Sequence, residues 1–273
     1  MVVTGRGGAG KTTTTSNLGV YFSGRGIDTL LIDGDLFLPK LSLHFGIDNP
    51  AVNVHSILRN PRINPFDAIY RDPRTGVHLV PGSPNIYDVL HLDHSHLVEI
   101  VSEYSKSYNV VIVDSPVGIP FDALPTFNIM EYQIVVLELE RSPIYSLKVM
   151  LENELLKLKA IGDEFGLKVG VVINKVREAR RDIDDVVDFI EEVVGVPVLG
   201  VVALDDHVPL AINYGMPVLA KFPRAQASKD FRALGENVYQ WLFKGEGGSE
   251  KRRKLRHFLY DLSDVLHRIT HWS

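Results

Sequence analysis

Short apolar runs alternate along this chain with longer amphipathic stretches. The apolar runs are rich in β-branched residues and almost continuous, which is typical of parallel strands covered on both faces. They predict strands at residues 1–4, 29–32, 77–80, 110–113, 133–137, 168–173 and 198–202. Helical periodicity predicts helices at residues 14–23, 97–106, 144–165, 182–194 and 229–243. The alternation predicts an α/β fold: a doubly wound, mostly parallel twisted sheet with helices on both faces.

The last 29 residues have a different pattern. Residues 245–250 are rich in glycine and polar residues and predict a flexible linker after a first domain at 1–244. Four basic residues at 251–254 then precede an apolar stripe at helical spacing, so residues 245–273 are predicted as linker and basic amphipathic helix. The stripe consists of Leu255, Phe258, Leu259, Leu262, Val265, Leu266, Ile269 and Trp272.

Three interpretations of this C-terminal helix remain open. A basic head and a terminal Trp favour binding to a membrane surface with anionic lipids. The same stripe fits a helix that packs on its own domain or on a partner helix. A solvated tail is the third interpretation, although eight aligned large apolar residues rarely stay in water. Asp261 and Asp264 dilute the basic face and count against the membrane interpretation.

The first predicted strand leads directly into a glycine-rich loop. Residues 5–13 read Gly-Arg-Gly-Gly-Ala-Gly-Lys-Thr-Thr and match the phosphate-binding pattern G-x-x-x-x-G-K-[ST]. In such a P-loop, backbone N–H groups and the following helix N-terminus surround phosphate oxygens. Lys11 is expected to reach the β- and γ-phosphates, and the Thr12 hydroxyl is expected to bind Mg²⁺. The predicted nucleotide-binding residues of the loop are Gly7, Gly8, Ala9, Gly10, Lys11, Thr12 and Thr13.

Aspartates end two other predicted strands. Asp33 and Asp35 follow the strand at 29–32, and their spacing places both side chains on one face. Asp114 follows the strand at 110–113, which is the Walker B pattern of a carboxylate that holds Mg²⁺, usually through water. An alternative for the first pair is turn capping, a common use of aspartate.

Composition narrows the class of protein. Hydrophobic residues make up 45% of the 273 residues, enough for a large core, and no apolar run approaches the roughly 20 residues of a membrane span. The absence of cysteine excludes disulfides, thiolate zinc sites and cysteine-held clusters. A net charge of −5 argues against nucleic acid as a partner. Because the chain opens directly into its first strand, we expect no signal peptide and a cytoplasmic protein. The first strand is short for a central strand, so we also expect the natural start to lie a few residues upstream.

A second cation near the start of the loop, Arg6, adds a more specific feature. With it the loop resembles the deviant Walker A loop, K-G-G-x-G-K-T-[ST], of the MinD/ParA family of dimerising ATPases. In that family the early residue is a lysine that reaches the nucleotide of the partner subunit. Arginine keeps the charge and adds a planar fork suited to phosphate. The resemblance implies ATP and Mg²⁺ as cofactors and an ATP-dependent homodimer.

The resemblance also implies roles for individual residues. Asp35 would orient or deprotonate the attacking water, and Asp33 would support its loop and Mg²⁺. Lys11 and Arg6 would share catalysis with Asp35 by stabilising phosphate charge. The N–H of Gly118 would contact the γ-phosphate. The strand-end residue Asn174 and the later Asp205 would contact the base; a strand-end cap is the alternative for Asn174.

The sequence departs from the family at two segments. Residues 203–205 read Ala-Leu-Asp where relatives usually have Pro-Glu-Asp, and residues 138–141 read Glu-Leu-Glu-Arg where MinD relatives tend to have Thr-x-Pro-Glu. The first departure concerns the base contact, and the second concerns a region that faces the dimer partner in the family.

The resemblance favours an ATP-hydrolysing switch of the MinD type that controls membrane-surface association and spatial positioning. Two alternatives stay open: a ParA-like ATPase that partitions DNA or cargo, and a nucleotide-sensing regulator of partner proteins with low turnover. A basic DNA-binding stripe is not evident, and the predicted helix at 182–194 is acidic.

Overall fold

The computed structural model describes residues 1–90, 92, 95–116, 127–138, 151–177 and 180–244. Within these ranges the strands form one sheet of eight, in the order β3-β4-β2-β5-β1-β6-β7-β8. Every strand pair is parallel except β3 with β4. The strands are β1 (Val2–Thr4), β2 (Thr29–Asp33), β3 (Tyr70–Arg71), β4 (His78–Val80), β5 (Val110–Asp114), β6 (Tyr132–Glu138), β7 (Lys168–Val176) and β8 (Val198–Ala203).

Eight α-helices are described in the same ranges. They are α1 (Lys11–Gly24), α2 (Val54–Arg59), α3 (Ser95–Ser105), α4 (Leu156–Glu164), α5 (Arg180–Phe189), α6 (His207–Asn213), α7 (Val218–Lys221) and α8 (Gln226–Phe243). One π-helical turn, Leu151–Leu155, precedes α4, and another, Ile190–Val194, follows α5. Short 3₁₀ helices lie at Ser42–Phe45, Pro65–Ala68 and Ile86–Val89.

Helices cover both faces of the sheet, which confirms the predicted α/β class. On one face, Phe22 of α1 and Phe231 of α8 pack on alternate strand residues such as Leu31 and Ile112. On the other face, α2 and α3 pack on the intervening strand residues, and Tyr104 of α3 is fully buried there. Burial on both sides explains why the strands read as continuous apolar runs rather than as alternating ones.

The position of β1 determines where the site lies. This short strand is buried between β5 and β6. The strands β2 to β5 lie on one side of β1, and the strands β6 to β8 lie on the other, so the strand order reverses at β1. A crevice forms outside the carboxyl end of a strand at such a point, and ligands of doubly wound sheets bind there. The loop at residues 5–10 leaves β1 at this crevice.

Several predicted elements needed correction. The prediction missed β3, an antiparallel edge strand of two residues, and the short helices α2, α6 and α7. Helix α1 begins at Lys11, inside the glycine-rich motif, rather than at residue 14. Of the predicted helix at 144–165, residues 144–150 lie outside the described residues, as does the whole predicted tail at 245–273. No helix of the described ranges is both long and apolar enough to cross a membrane.

Candidate active site

The loop between β1 and α1 is built for close backbone approach. Gly5, Gly8 and Gly10 have φ values of 150°, 82° and 99°, conformations that residues with a Cβ rarely adopt. A Cβ on Gly10 would lie 2.1 Å from the amide nitrogen of Asn174, so only glycine fits there. Directly after Gly10 the 14-residue helix α1 begins, which directs its unsatisfied N–H groups and positive dipole end at the crevice. Thr12 and Thr13 lie in its first turn.

Lys11 is a buried cation at this crevice. Its side chain is buried, and its Nζ donates a hydrogen bond to the carbonyl of Arg6 at 3.2 Å. Burial lowers the pKa of Lys11, while the nearby charges of Asp114 and Asp35 act in the opposite direction. A partly desolvated ammonium beside helix N–H groups is a strong attractor for phosphate oxygens.

The Walker B carboxylate meets the first turn of α1. The Thr12 hydroxyl donates to Oδ2 of Asp114 at 2.6 Å, and the Thr15 hydroxyl donates to Oδ1 at 3.3 Å. Asp114 is buried, and burial raises its pKa to about 6, against the effect of the Thr12 hydrogen bond. The sequence interpretation missed Thr15, although its spacing of one helical turn from Thr12 places both hydroxyls on one face.

These oxygens fit Mg²⁺. The ion prefers hard oxygen ligands and is usually held by one or two carboxylates, waters and substrate phosphates rather than by a cage of protein side chains. The donor set here is a hydroxyl and a carboxylate side by side, next to a loop suited to phosphate. Accordingly, the described residues contain no group of three or more histidines, aspartates or glutamates arranged as a metal site.

Asp33 holds the loop that follows β2. Its side chain is fully buried; Oδ2 accepts the N–H of Leu41 at 2.9 Å, and Oδ1 accepts the N–H of Asp35 at 3.3 Å. Burial, followed by the charge of Asp114, raises the pKa of Asp33 well above its usual range. The predicted support of the loop by Asp33 is therefore visible as hydrogen bonds, whereas its role toward Mg²⁺ stays a prediction.

Asp35 lies half-buried at the start of the same loop. Its Oδ1 accepts the N–H of Leu38 at 3.0 Å, and the preceding Gly34 donates its N–H to the carbonyl of Asp114 at 2.9 Å. The loop is thus attached to both acidic strand tips, and Asp35 is close enough to Lys11 to influence its pKa. This position is compatible with a carboxylate that orients water at the terminal phosphate.

A buried histidine that the sequence interpretation missed also supports this loop. The Nδ1 of His55 accepts the N–H of Ser83 at 3.0 Å, so Nε2 carries the proton and donates it to the carbonyl of Leu36 at 2.7 Å. His55 therefore connects the residue after Asp35 to the loop that follows β4. No motif in the sequence indicates this connection, because it depends on a contact between segments 19 residues apart.

A second buried histidine gives the protein a predictable pH response. His44 lies with its Nδ1 3.1 Å from the Ser16 hydroxyl, and burial lowers its pKa from 6.5 to about 4. Between these values the unfolded chain binds a proton that the folded chain does not, so His44 makes folding less favourable as the pH falls from 6.5 towards 4. We expect the free energy of unfolding of the parent, relative to that of His44→Gln, to be about 2 kcal/mol lower at pH 5 than at pH 7.

Urea unfolding of both proteins at the two pH values measures this shift. The comparison cancels the opposite contributions of Asp33 and Asp114, whose raised pKa values favour folding at low pH in both proteins. If the parent and His44→Gln differ in free energy of unfolding by the same amount at pH 7 and at pH 5, His44 is not held neutral in the folded protein.

Two other predicted site residues, Arg6 and Asn174, contact groups of their own chain. The guanidinium of Arg6 lies 3.6 Å from the carboxylates of both Glu138 and Glu154 of its own chain. Asn174 is buried behind the loop and donates its amide N–H to the carbonyl of Ala9 at 2.8 Å. Gly118 lies outside the described residues, so its contact with phosphate stays a prediction.

Asp205 is engaged within its own loop. Its Oδ1 accepts the backbone N–H of His207 at 2.9 Å and faces the Nδ1 of the same residue at 2.7 Å, while Oδ2 accepts the N–H of Ala227 at 3.0 Å. Partial burial raises the pKa of Asp205, but these hydrogen bonds outweigh it and lower the pKa overall. Asp205 thus fixes the loop to the start of α8, and its contact with a base stays a prediction.

A glycine loop after the central strand β1, a buried lysine and a hydroxyl–carboxylate pair at the carboxyl end of the neighbouring strand β5 define a P-loop nucleotide-binding protein. Over residues 1–218 the chain matches the model of the CobQ/CobB/MinD/ParA nucleotide binding domain, and it belongs to that family. The resemblance to the MinD/ParA proteins is therefore confirmed.

Individual relatives cover most of the chain. An uncharacterized ATP-binding protein of Methanocaldococcus jannaschii is 26% identical over 262 residues, which are 96% of this chain and 95% of that protein. The crystal structure of the cell division ATPase MinD of Pyrococcus furiosus is 30% identical, with a TM-score of 0.76 over 88% of this chain and 98% of that one. The septum site-determining protein MinD of Pyrococcus horikoshii, complexed with Mg-ADP, is 27% identical, with a TM-score of 0.76 over 90% and 98%.

Proposed function

We propose that this protein is a Mg²⁺-dependent ATPase that hydrolyses ATP to ADP and phosphate and acts as a dimerising switch at a membrane surface. The observation that carries the ATPase proposal is the 2.6 Å pairing of the Thr12 hydroxyl with Asp114, beside the buried Lys11 and the half-buried Asp35. A relative that is complexed with Mg-ADP supports the choice of ligand.

The side chains divide the work of hydrolysis. The loop and Lys11 bind the phosphates, and Thr12 and Asp114 would hold Mg²⁺, which supplies positive charge against the developing negative charge. Asp35 orients a water at the γ-phosphorus and accepts its proton. The water oxygen forms the new bond to phosphorus as the bond to the β–γ bridging oxygen breaks, and ADP leaves with that electron pair.

Dimerisation would require a change of partners by Arg6. In the described structure its guanidinium lies between Glu138 and Glu154 of its own chain. We propose that two subunits close face to face over their nucleotides and that Arg6 then exchanges these carboxylates for a phosphate of the partner's nucleotide. Phosphate is the better match for a planar guanidinium because it offers bidentate contacts at higher charge.

The proposed link to the membrane is the basic amphipathic helix that the sequence predicts at residues 251–273. A single basic amphipathic helix binds lipid weakly, but a dimer presents two, and the second binds at a high effective concentration. Hydrolysis would separate the subunits and release the protein into the cytoplasm. The names of relatives such as the septum site-determining protein MinD of Thermotoga maritima, 26% identical over 90% of this chain and 88% of that protein, support a role in spatial positioning.

Light scattering in the presence of Mg²⁺ATP or Mg²⁺ADP tests the switch. We expect a mass of two chains with ATP and of one chain with ADP, with Arg6→Ala remaining at one chain in both. Equal masses with ATP and ADP would contradict the switch, even if ATP is hydrolysed.

Removal of residues 245–273 tests the membrane link. We expect the shortened protein to bind Mg²⁺ATP like the parent but to lose co-sedimentation with vesicles that contain anionic lipid. A full-length variant in which residues 251–254 are alanine, which keeps the apolar stripe, should lose most of its binding at low salt. Recruitment of the shortened protein at the parent's level would refute the membrane proposal and leave the ATPase proposal standing.

A further inference from the structure

Lys175, near the end of β7, has an unusual backbone. Its φ is +57°, and it is the one residue other than glycine with a positive φ in the part of the chain that the structure describes. The pairing of β7 with β8 shifts register between Ile173 and Val176, so Lys175 lies in an irregular part of the strand. A left-handed lysine is disfavoured by its Cβ, and strand irregularities of this kind redirect side chains next to functional sites.

The redirected side chain reaches the phosphate-binding loop. Its Nζ donates to the carbonyl of Gly8 at 2.6 Å. The preceding residue, Asn174, donates to the next carbonyl, that of Ala9, at 2.8 Å. Two consecutive carbonyls of the loop are therefore held by two consecutive residues of β7.

These two contacts fix peptide planes. Because the carbonyl and the N–H of one peptide unit point in opposite directions, holding the Gly8 oxygen fixes the direction of the Ala9 N–H, and holding the Ala9 oxygen fixes that of the Gly10 N–H. The Ala9 N–H also donates to the carbonyl of Arg6 at 3.3 Å, while the loop turns at Gly8 and Gly10, where glycine leaves the backbone with many accessible conformations before it is held. The ammonium also neutralises the negative end of a carbonyl close to where a phosphate would bind.

An acidic residue, Glu138, lies between Lys175 and the loop residue Arg6. Oε2 of Glu138, at the end of β6, lies 3.2 Å from the Nζ of Lys175 and 3.6 Å from the guanidinium of Arg6. Glu138 is paired in register with Asn174, so the two strand tips act on the loop together. The glutamate stands in the segment where the sequence departs from its MinD relatives.

We propose that Lys175 is a positioning residue that fixes the Gly8–Ala9 peptide before nucleotide binds, and that its left-handed backbone is kept for this purpose. The inference rests on the proposed use of the loop for nucleotide. Preorganisation of the loop reduces the conformational entropy that ADP or ATP must overcome, so Lys175 raises the affinity for both.

Lys175→Gly separates this role from a structural one. Glycine accepts φ +57° without strain, so we expect a melting temperature equal to that of the parent or higher by a few degrees. Calorimetry should nevertheless show an affinity for Mg²⁺ADP that is about tenfold weaker, because a charge-assisted hydrogen bond of the loop is lost. Lys175→Met, which keeps the backbone strain and the length of the side chain, should lose affinity to the same extent without any gain in melting temperature.

A conservative variant of Lys175 and the binding of the parent complete the test. Lys175→Arg, which keeps the charge and most of the reach, should recover most of the affinity. If the parent binds Mg²⁺ADP and Lys175→Gly binds it equally well, the inference is wrong, whereas failure of the parent to bind overturns the proposed function instead. A loss of affinity that is matched by a fall in melting temperature in both the Gly and the Met variants would assign Lys175 a structural role and also overturn the inference.

Discussion

We expect Asp35→Asn to lower the rate of ATP hydrolysis by about 100-fold or more and to leave the affinity for Mg²⁺ATP within about threefold of the parent's. The amide keeps the size of the side chain and can still accept the N–H of Leu38, the hydrogen bond seen in the structure. It cannot take a proton from the attacking water. Because this interaction strengthens only in the transition state, the loss falls on turnover rather than on binding.

Single-turnover hydrolysis and calorimetry on the same preparations measure the two quantities. Asp48→Asn is the matched control, since Asp48 is an exposed aspartate outside the site, and its turnover should equal the parent's. Parental turnover in Asp35→Asn would remove Asp35 from the mechanism and would favour the low-turnover regulator if the parent also turns over slowly.

Asp114→Asn should have the second large effect: we expect Mg²⁺ no longer to strengthen ATP binding and hydrolysis to fall by at least about 100-fold. The asparagine oxygen can still accept the Thr12 hydroxyl, which keeps the local structure. The substitution also removes a buried carboxylate whose pKa burial raises to about 6, so the melting temperature should hold or rise. Higher stability with lost magnesium dependence is the pattern expected of a residue kept for function.

Asp33→Asn provides the contrasting variant. Both oxygens of Asp33 accept backbone N–H groups, so an amide would direct an NH₂ group at one of these donors and destabilise the loop by about 1–3 kcal/mol. Calorimetry of ATP with and without Mg²⁺, together with thermal unfolding, distinguishes the two aspartates. If Asp114→Asn retains the full effect of Mg²⁺ on ATP affinity, the assignment of the metal site is wrong.

The sequence was sufficient for those parts of the protein that depend on local pattern. Seven of the eight described strands were predicted because continuous burial leaves a continuous apolar run. The missed strand, β3, has two residues, too few for any period to appear, and the missed helix α2 has six. Its start could have been found from Asn53 and Ser56, which form a reciprocal cap, but a cap without a long apolar stripe is a weak signal.

Partners of charged side chains could not be predicted in the same way. The glycine loop identified Lys11 and Thr12, and an apolar strand that ends in aspartate identified Asp114, because each of these motifs is a local pattern in the sequence. The engagement of Arg6 with Glu138 and Glu154 depends on the packing of distant segments, and a sequence motif carries no information about it. The same holds for Lys175, whose backbone conformation is visible only once the register of β7 is known.

Titration of the full-length protein with ATP in a calorimeter, in the presence of Mg²⁺, tests the central claim most directly. The account predicts saturable heat with one nucleotide per chain for the parent and no measurable heat for Lys11→Ala, because the buried ammonium and the loop act on the same phosphates. Absence of heat from the parent, or equal binding by Lys11→Ala, would contradict the claim that residues 5–13 bind a nucleoside triphosphate.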